Sequence, residues 1–215
     1  MVDKERYKSI AEQLSGRNVT LVAVSKTKPI EDILELYELG HRDFGENYVQ
    51  ELLQKQAQLP EDIRWHFIGH LQSNKVKQIA PFVHLIHGVD SLKLLKEIDK
   101  QARKLERVID CLLQVHIAME ESKFGLDEEE LNSILGEKFE NVRALGLMGM
   151  ASFTEDMDTV RTEFSFLKSL FDKHAQKQNW TTLSMGMSGD YEIAIETGST
   201  MVRIGSLLFG KRNYN

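Results

Sequence analysis

Two lysines follow the first apolar run of the chain, in the stretch VAVSKTKP that begins at Val22. An apolar run of this kind, followed by a turn-forming proline, predicts a buried strand with Lys26 and Lys28 at its end. A lysine in a partly apolar pocket is desolvated, which disfavours its charged form and yields a nucleophilic amine. Such an amine condenses with an aldehyde to form a Schiff base. A solvent-facing lysine is the plainer interpretation.

The alternation of side chains along a strand separates the two lysines only in part. Val22, Val24 and Lys26 share one face of the predicted strand, so the amine of Lys26 follows the direction of the two valines. Lys28 has the same parity but stands beside Pro29, where the chain turns away from the strand. The pattern favours Lys26 and leaves Lys28 open.

Glycines and serines cluster near the other end of the sequence, in LSMGMSGD from Leu183 and MVRIGSLLFG from Met201. Glycine lets backbone amides approach a phosphate, and serine hydroxyls and a short helix beginning near Ser206 supply further donors. Arg203 stands within an apolar run, where a buried guanidinium needs an acceptor. A pyridine nitrogen or a nearby carboxylate would serve. Together with the lysine, these residues are suited to a phosphorylated aldehyde.

The elements that must position these residues alternate between strand-like and helical patterns. One amphipathic helix comes first, with Tyr7, Ile10, Ala11 and Leu14 on one face. Helical patterns also cover 30–39, 92–105 and 160–177, and Gly198 is a plausible helix stop. Eight strand candidates follow that first helix: VTLVAVS from Val19, HRDFG from His41, WHFIG from Trp65, HLIHGVD from His84, DCLLQVHI from Asp110, RALGLMGM from Arg143, TLSMGM from Thr182 and TMVRIG from Thr200.

Near-continuous apolar strands that alternate with helices predict a parallel sheet covered by helices. Eight such units in about 200 residues predict an α/β fold, a single-domain (β/α)8 TIM-type barrel with an extra N-terminal helix. A doubly wound open sheet is the alternative, although it would favour a glycine-rich first turn, which VSKTKP lacks. In a barrel the reactive groups lie at the carboxyl ends of the strands, which is where Lys26 falls.

Composition limits the class of protein. The chain has 215 residues, 41% of them hydrophobic, and no linker-like segment divides it, so we expect one domain over 1–215. A net charge of -6 gives no reason to expect nucleic-acid binding, and no apolar run is long enough to span a membrane. We expect a cytoplasmic protein, with Cys111 as a small buried residue.

No metal site is expected. His66 and His70 are four residues apart, which suits a metal ligand pair on a helix. Their strand-like context and the intervening Gly69 do not provide that geometry.

Five stretches carry a family resemblance: AVSKTKP, FGENYVQE, WHFIGHLQSNK, GLMGM and LSMGMSGDYEIAIETGSTMVRIGSLLFGKR. They closely resemble the pyridoxal phosphate homeostasis protein family, also called the YggS or PROSC family, in order from about Val19 to Arg212. The resemblance implies a barrel of the alanine racemase N-terminal type that binds pyridoxal 5'-phosphate (PLP). It also implies that Lys26, rather than Lys28, holds PLP as a Schiff base.

The resemblance implies roles for further residues. Ser184, Gly205 and Ser206 would hold the phosphate, Arg203 would approach the pyridine nitrogen, and Asn47 would line the pocket. Gly189 in MSGDYE departs from a position that is often acidic in the family, while Asp190 and Glu192 match.

The expected function is to carry and buffer PLP in vitamin B6 homeostasis without obligatory turnover, with PLP-dependent apo-enzymes as recipients. A pyridine nitrogen that faces a protonated arginine stays unprotonated, which makes PLP a poorer electron sink. The alternative is a PLP-dependent amino-acid racemase, which in the related alanine racemases takes a second base from an additional β-domain and a partner subunit. We expect no such domain after the eighth strand, and Tyr214 would be the substitute. We expect a monomer.

Overall fold

Eight parallel strands form one closed barrel, in the order β1 to β8 along the chain. The structure is a computed structural model that describes residues 2–119 and 124–210. All eight predicted strands are confirmed. Their bounds are β1 Thr20–Val24, β2 Asp43–Glu46, β3 Arg64–Phe67, β4 Leu85–Val89, β5 Ile109–Gln114, β6 Val142–Met148, β7 Thr182–Ser184 and β8 Met201–Ile204.

Helices surround the barrel and connect its strands. The α-helices are α1 Lys4–Ser15, α2 Ile30–Glu38, α3 Val49–Gln56, α4 Val76–Ile79, α5 Leu92–Lys104, α6 Glu128–Leu135, α7 Met157–Gln178, α8 Tyr191–Glu196 and α9 Ser206–Phe209, with a 3-10 turn at Ser73–Lys75. The extra N-terminal helix is α1, which begins where the Asp3 side chain accepts a hydrogen bond from the Arg6 backbone N–H. Its predicted face is buried through Tyr7, Ile10 and Leu14. The fold is therefore the predicted barrel with one helix added before β1.

Apolar side chains pack in two places, one outside the barrel and one within it. Alternate residues of β1 show the division, because Ala23 packs between the sheet and the helices while Val22 faces the barrel interior. The interior cluster consists of Val22, Leu85, Leu112, Met148 and Met201. The alternation along β1 leaves this direction open, and the structure shows that Val22 faces the interior.

Cys111 lies within β5 and is fully buried. Burial raises the pKa of its thiol to about 12, so the thiol stays protonated and packs as a small apolar group. No α-helix in the described part of the chain is long and apolar enough to cross a membrane.

Candidate functional site

The predicted site residues gather at the carboxyl ends of four neighbouring strands, which we call the mouth of the barrel. Strand β1 pairs with β8 on one side and β2 on the other, and β7 pairs with β8. The order of the strands thus brings together residues from both ends of the chain. Lys26 follows β1, Asn47 follows β2, Ser184 ends β7, Arg203 lies in β8, and Gly205 and Ser206 follow β8.

A buried ion group holds the turn that carries Lys26. The Lys55 ammonium on α3 donates hydrogen bonds of 2.7 Å to the Ser25 carbonyl, Glu46 Oε1 and Glu51 Oε1. The Ser25 hydroxyl donates to Glu46 Oε1 at 2.6 Å. The Lys55 and Glu46 side chains are 6% and 0% exposed, so this group is part of the core. We call Lys55, Glu46 and Glu51 the buried ion group.

The turn itself has a constrained backbone. Thr27 has a φ of 63°, a left-handed conformation that is costly for a β-branched residue. Its backbone N–H donates to Glu51 Oε1 at 2.6 Å, which stabilises that conformation. Lys26 is half-buried between Ser25 and Thr27, beyond the last residue of β1. The ion group therefore determines the position of Lys26 from both sides.

Lys28 points away from this turn. Its ammonium donates hydrogen bonds to the carbonyls of Phe209 and Gly210, at 2.7 and 3.3 Å. These contacts tie the start of α2 to the chain that follows α9. The two lysines thus have different surroundings, and Lys28 has a structural contact of its own.

Arg203 is 4% exposed, and its guanidinium is held by carbonyls and a hydroxyl. Its guanidinium donates to the Ser184 carbonyl and hydroxyl, at 3.0 and 2.5 Å, and to the Gly149 carbonyl at 3.0 Å. Burial lowers its pKa to about 10, which the charge of Asp190 partly offsets, so the guanidinium stays protonated at neutral pH. Ser184 is fully buried, and its hydroxyl contacts Arg203 rather than open space.

The loop after β7 brings another serine to the mouth. Ser188 accepts a hydrogen bond from the Gly205 backbone N–H at 3.2 Å. Gly186 turns this loop at a φ of 96°, and a Cβ there would lie 2.6 Å from the Cβ of Ala194. Sequence reasoning missed Ser188, although MSGD stands in the same glycine- and serine-rich stretch as Ser184.

Asn47, which follows β2, carries an unsatisfied polar atom. Its Oδ1 atom is buried and has no hydrogen-bond partner within the described ranges. A buried acceptor without a donor costs free energy, so this oxygen is suited to a ligand donor or an ordered water. The position of Asn47 depends on Gly69, whose missing side chain leaves room for the Asn47 backbone.

We expect Gly69→Ala to destabilise the protein by about 1–3 kcal/mol. The new Cβ would lie 2.3 Å from the Asn47 carbonyl oxygen and 2.9 Å from its Cα, so the backbone after β2 must move. Urea unfolding followed by circular dichroism measures the change. Gly189→Ala is the matched control, because no atom lies within 4 Å of a Cβ built there. Equal stability of the two variants would contradict the close packing described here.

His66 and His70 do not form the pair considered above. His66 is buried within β3, whereas the His70 imidazole pairs with Asp90 at 2.9 Å and stacks on Phe124. Asp43, His66 and His84 offer ligand atoms within 4.8 Å of one another. Both oxygens of Asp43 already accept hydrogen bonds from Arg64, so we assign this cluster to hydrogen bonding. Tyr214 lies outside the described residues.

The closed parallel barrel, the lysine in the turn after β1 and the buried arginine in β8 define a class of protein. This class is the family described as alanine racemase, N-terminal domain, which residues 4–213 match. Within that class, the chain belongs to the pyridoxal phosphate homeostasis protein family. A relative of that name from Aquifex aeolicus is 44% identical, with 98% of this chain and 95% of the relative covered. The human protein of that name is 41% identical, with 91% and 77% covered.

Solved structures agree with this assignment. PipY of Synechococcus elongatus PCC7942, solved with PLP bound, superposes with a TM-score of 0.87 and 36% identity over 96% of this chain and 99% of PipY. PipY without PLP gives a TM-score of 0.91 and 37% identity over the same shares. An alanine racemase of Clostridium difficile 630 is 12% identical, with a TM-score of 0.75 over 98% of this chain and 58% of the racemase, and shares the fold alone.

Proposed function

We propose that this protein binds PLP at the mouth of the barrel, as a Schiff base on Lys26, and acts in intracellular PLP homeostasis as a carrier and buffer. The observation that carries this proposal is the half-buried turn of Lys26, held by the buried ion group beside the strand of Arg203. PLP supplies an aldehyde, with which a lysine amine condenses and releases water. The PLP-bound structure of PipY, at 36% identity, supports the same assignment.

The polar groups at the mouth fit the remaining parts of PLP. The backbone at Ser206 and the hydroxyl of Ser188 supply donors for a phosphate, while the Gly205 N–H donates to Ser188 and positions it. Ser184 contributes to this site indirectly, because its hydroxyl accepts a hydrogen bond from the Arg203 guanidinium. Asn47 adds the buried Oδ1 acceptor that lacks a donor. We propose that the whole chain, 1–215, works as one PLP-binding unit.

Arg203 limits the chemistry that bound PLP could support. A guanidinium donates hydrogen bonds and cannot accept one, so a ring nitrogen that faces it must be the acceptor. An unprotonated ring nitrogen makes PLP a poorer electron sink for carbanion chemistry. The racemase alternative needs a second proton-transferring group on the opposite face of the substrate.

The proposed role also requires a place and a recipient. We place the protein in the cytoplasm as a monomer, which accords with one cysteine held as a buried thiol. PLP-dependent apo-enzymes are the proposed recipients, since they contain a lysine that competes for the same aldehyde. Lys26 would then release PLP by exchange with the amine of the recipient.

A transfer assay and a turnover assay together test the function. We expect the PLP-loaded protein to restore activity to a PLP-dependent apo-enzyme, while L-alanine and other L-amino acids incubated with it stay unracemised. Racemisation at about 1 s⁻¹ or faster, within the usual range of enzymes, would contradict the carrier role. Lys28→Ala is the control for transfer, because Lys28 contacts the chain after α9. A protein that binds no PLP, and so restores no activity to the apo-enzyme, would overturn the proposal itself.

A further inference from the structure

A line of hydrogen bonds crosses the barrel interior from the mouth to the amino ends of the strands. The Arg203 guanidinium contacts the Ser184 hydroxyl at 2.5 Å, and that hydroxyl lies 3.4 Å from Nδ1 of His87. His87 Nε2 lies 2.9 Å from His66 Nδ1, and His66 Nε2 lies 3.0 Å from Asp43 Oδ1. We call these five residues the interior chain. Its two histidines are 0% and 1% exposed, so water cannot replace their contacts.

With both imidazoles neutral, the two ends of the interior chain determine where its protons lie. A guanidinium can only donate and a carboxylate can only accept, so the hydrogen bonds then run from Arg203 towards Asp43. The Ser184 hydroxyl accepts from Arg203 and donates to His87 Nδ1. His87 then donates its Nε2–H to His66, and His66 donates its Nε2–H to Asp43. With neutral imidazoles, the reverse tautomers would place an unprotonated His66 Nε2 against a carboxylate oxygen.

Charge explains why such a chain is present. A buried guanidinium without a carboxylate partner is destabilising, and the aligned hydrogen bonds extend the influence of the Asp43 carboxylate towards Arg203. Burial alone would raise the pKa of Asp43, but hydrogen bonds from Arg64 and His66 hold it well below its usual value. Asp43 therefore keeps its negative charge at neutral pH.

The charges around the two histidines favour this assignment. Burial, with a further contribution from the charge of Arg203, holds the pKa of His87 well below its usual value, which keeps that imidazole neutral. His66 contacts His84 and His87 as well as Asp43, and Arg64 donates a hydrogen bond to the Asp43 carboxylate. Asp110, on the neighbouring strand, pairs with Arg143.

We propose that His87 and His66 are positioning residues, which hold Ser184 and the Arg203 guanidinium in one orientation and use Asp43 as their anchor. Neither histidine belongs to the mouth, and Asp43 begins β2 at the opposite end of the barrel. The proposal rests on the proposed function only in the experiments that measure PLP release. If it holds, the retention of PLP depends on two histidines that do not contact PLP.

The tautomers can be measured without PLP. Long-range ¹H–¹⁵N spectra of histidine-labelled wild-type protein at neutral pH distinguish the two neutral tautomers and the cation. We expect His87 and His66 to be neutral, each with its proton on Nε2. Variants that each replace one histidine identify which signals belong to which residue. An Nδ1 proton on His87, or a charged imidazole there, would overturn the proposal. This outcome is independent of whether the protein binds PLP.

Variants then test the effect on the mouth. We expect His87→Phe to increase the rate of PLP release about tenfold, the effect of one lost buried hydrogen bond, and to broaden the Arg203 guanidinium signals. His87→Gln keeps a donor and an acceptor and should recover part of the loss. His174→Phe is the matched control, because His174 Nε2 is buried without a partner in the described structure.

The outcomes separate this proposal from the proposed function. A folded His87→Phe variant with wild-type release and unchanged Arg203 signals would overturn the positioning role. If that variant does not fold, the wild-type tautomers still decide. Wild-type protein that binds no PLP would contradict the proposed function, while the histidine spectra would still test the interior chain.

Discussion

Replacing Lys26 with alanine is expected to abolish covalent attachment of PLP. Wild-type protein mixed with PLP should show a Schiff-base absorbance band near ~420 nm, and borohydride should convert it into a stable pyridoxyl adduct on Lys26. The variant should show neither the band nor the adduct, because the neighbouring amines of Lys28 and Lys55 donate hydrogen bonds to other groups. Absorbance spectra and mass analysis of reduced peptides make this measurement.

Lys28→Ala is the matched control for this experiment. Lys28 is close in sequence and has the same charge, but its ammonium donates to the Phe209 and Gly210 carbonyls. We expect this variant to keep the absorbance band and the adduct on Lys26. An adduct that maps to Lys28 in wild-type protein, or a Lys26→Ala variant that keeps the band, would contradict the proposed site.

Replacing Lys55 with methionine is expected to lower the free energy of unfolding by about 3–5 kcal/mol. The substitution leaves the Glu46 carboxyl group buried without its cation, and the Glu46 side chain is 0% exposed. Burial already raises the pKa of Glu46, and loss of the Lys55 charge would raise it further. Urea unfolding monitored by circular dichroism measures the change in stability.

A double variant distinguishes loss of the ion pair from loss of packing. Lys55→Met combined with Glu46→Leu removes both charges, so we expect it to be more stable than Lys55→Met alone. Lys100→Met is the surface control, because its side chain is 61% exposed and pairs only with Glu97 on the same helix, and we expect about 0.5 kcal/mol or less. A Lys55→Met variant as stable as this control would show that the buried ion group is not required.

The same substitution should also weaken PLP binding. Lys55 holds the Ser25 carbonyl and Glu51 Oε1, and Glu51 accepts from the Thr27 N–H, so loss of Lys55 loosens the turn between them. PLP affinity should therefore fall in Lys55→Met even under conditions where the variant is fully folded. Affinity equal to that of the wild type would limit the ion group to a role in stability.

Much of the fold follows from the sequence by itself. Short apolar runs alternate with amphipathic segments, and this local periodicity identifies eight strands and their order in a barrel. Because all parallel strands of a barrel present their carboxyl ends at one mouth, the same pattern predicts that Lys26 and Arg203 lie close together. The alternation along β1 places Val22, Val24 and Lys26 on one face, but only the structure shows that Val22 faces the interior. The motifs at Lys26 and in the last strands also indicate the family.

Only the tertiary structure decides which polar atoms meet. In the folded protein the Lys28 ammonium donates hydrogen bonds to carbonyls 181 and 182 residues away. The Ser184 hydroxyl contacts His87, which is 97 residues away. The tertiary structure also places Lys55 on Glu46 and Ser25, and aligns His66 with Asp43 and His87. These contacts depend on strand register, helix rotation and side-chain rotamers. Packing between residues far apart in the sequence determines all three, and local periodicity does not encode them. The sequence therefore determines the barrel and its mouth, while packing determines the buried ion group and the interior chain.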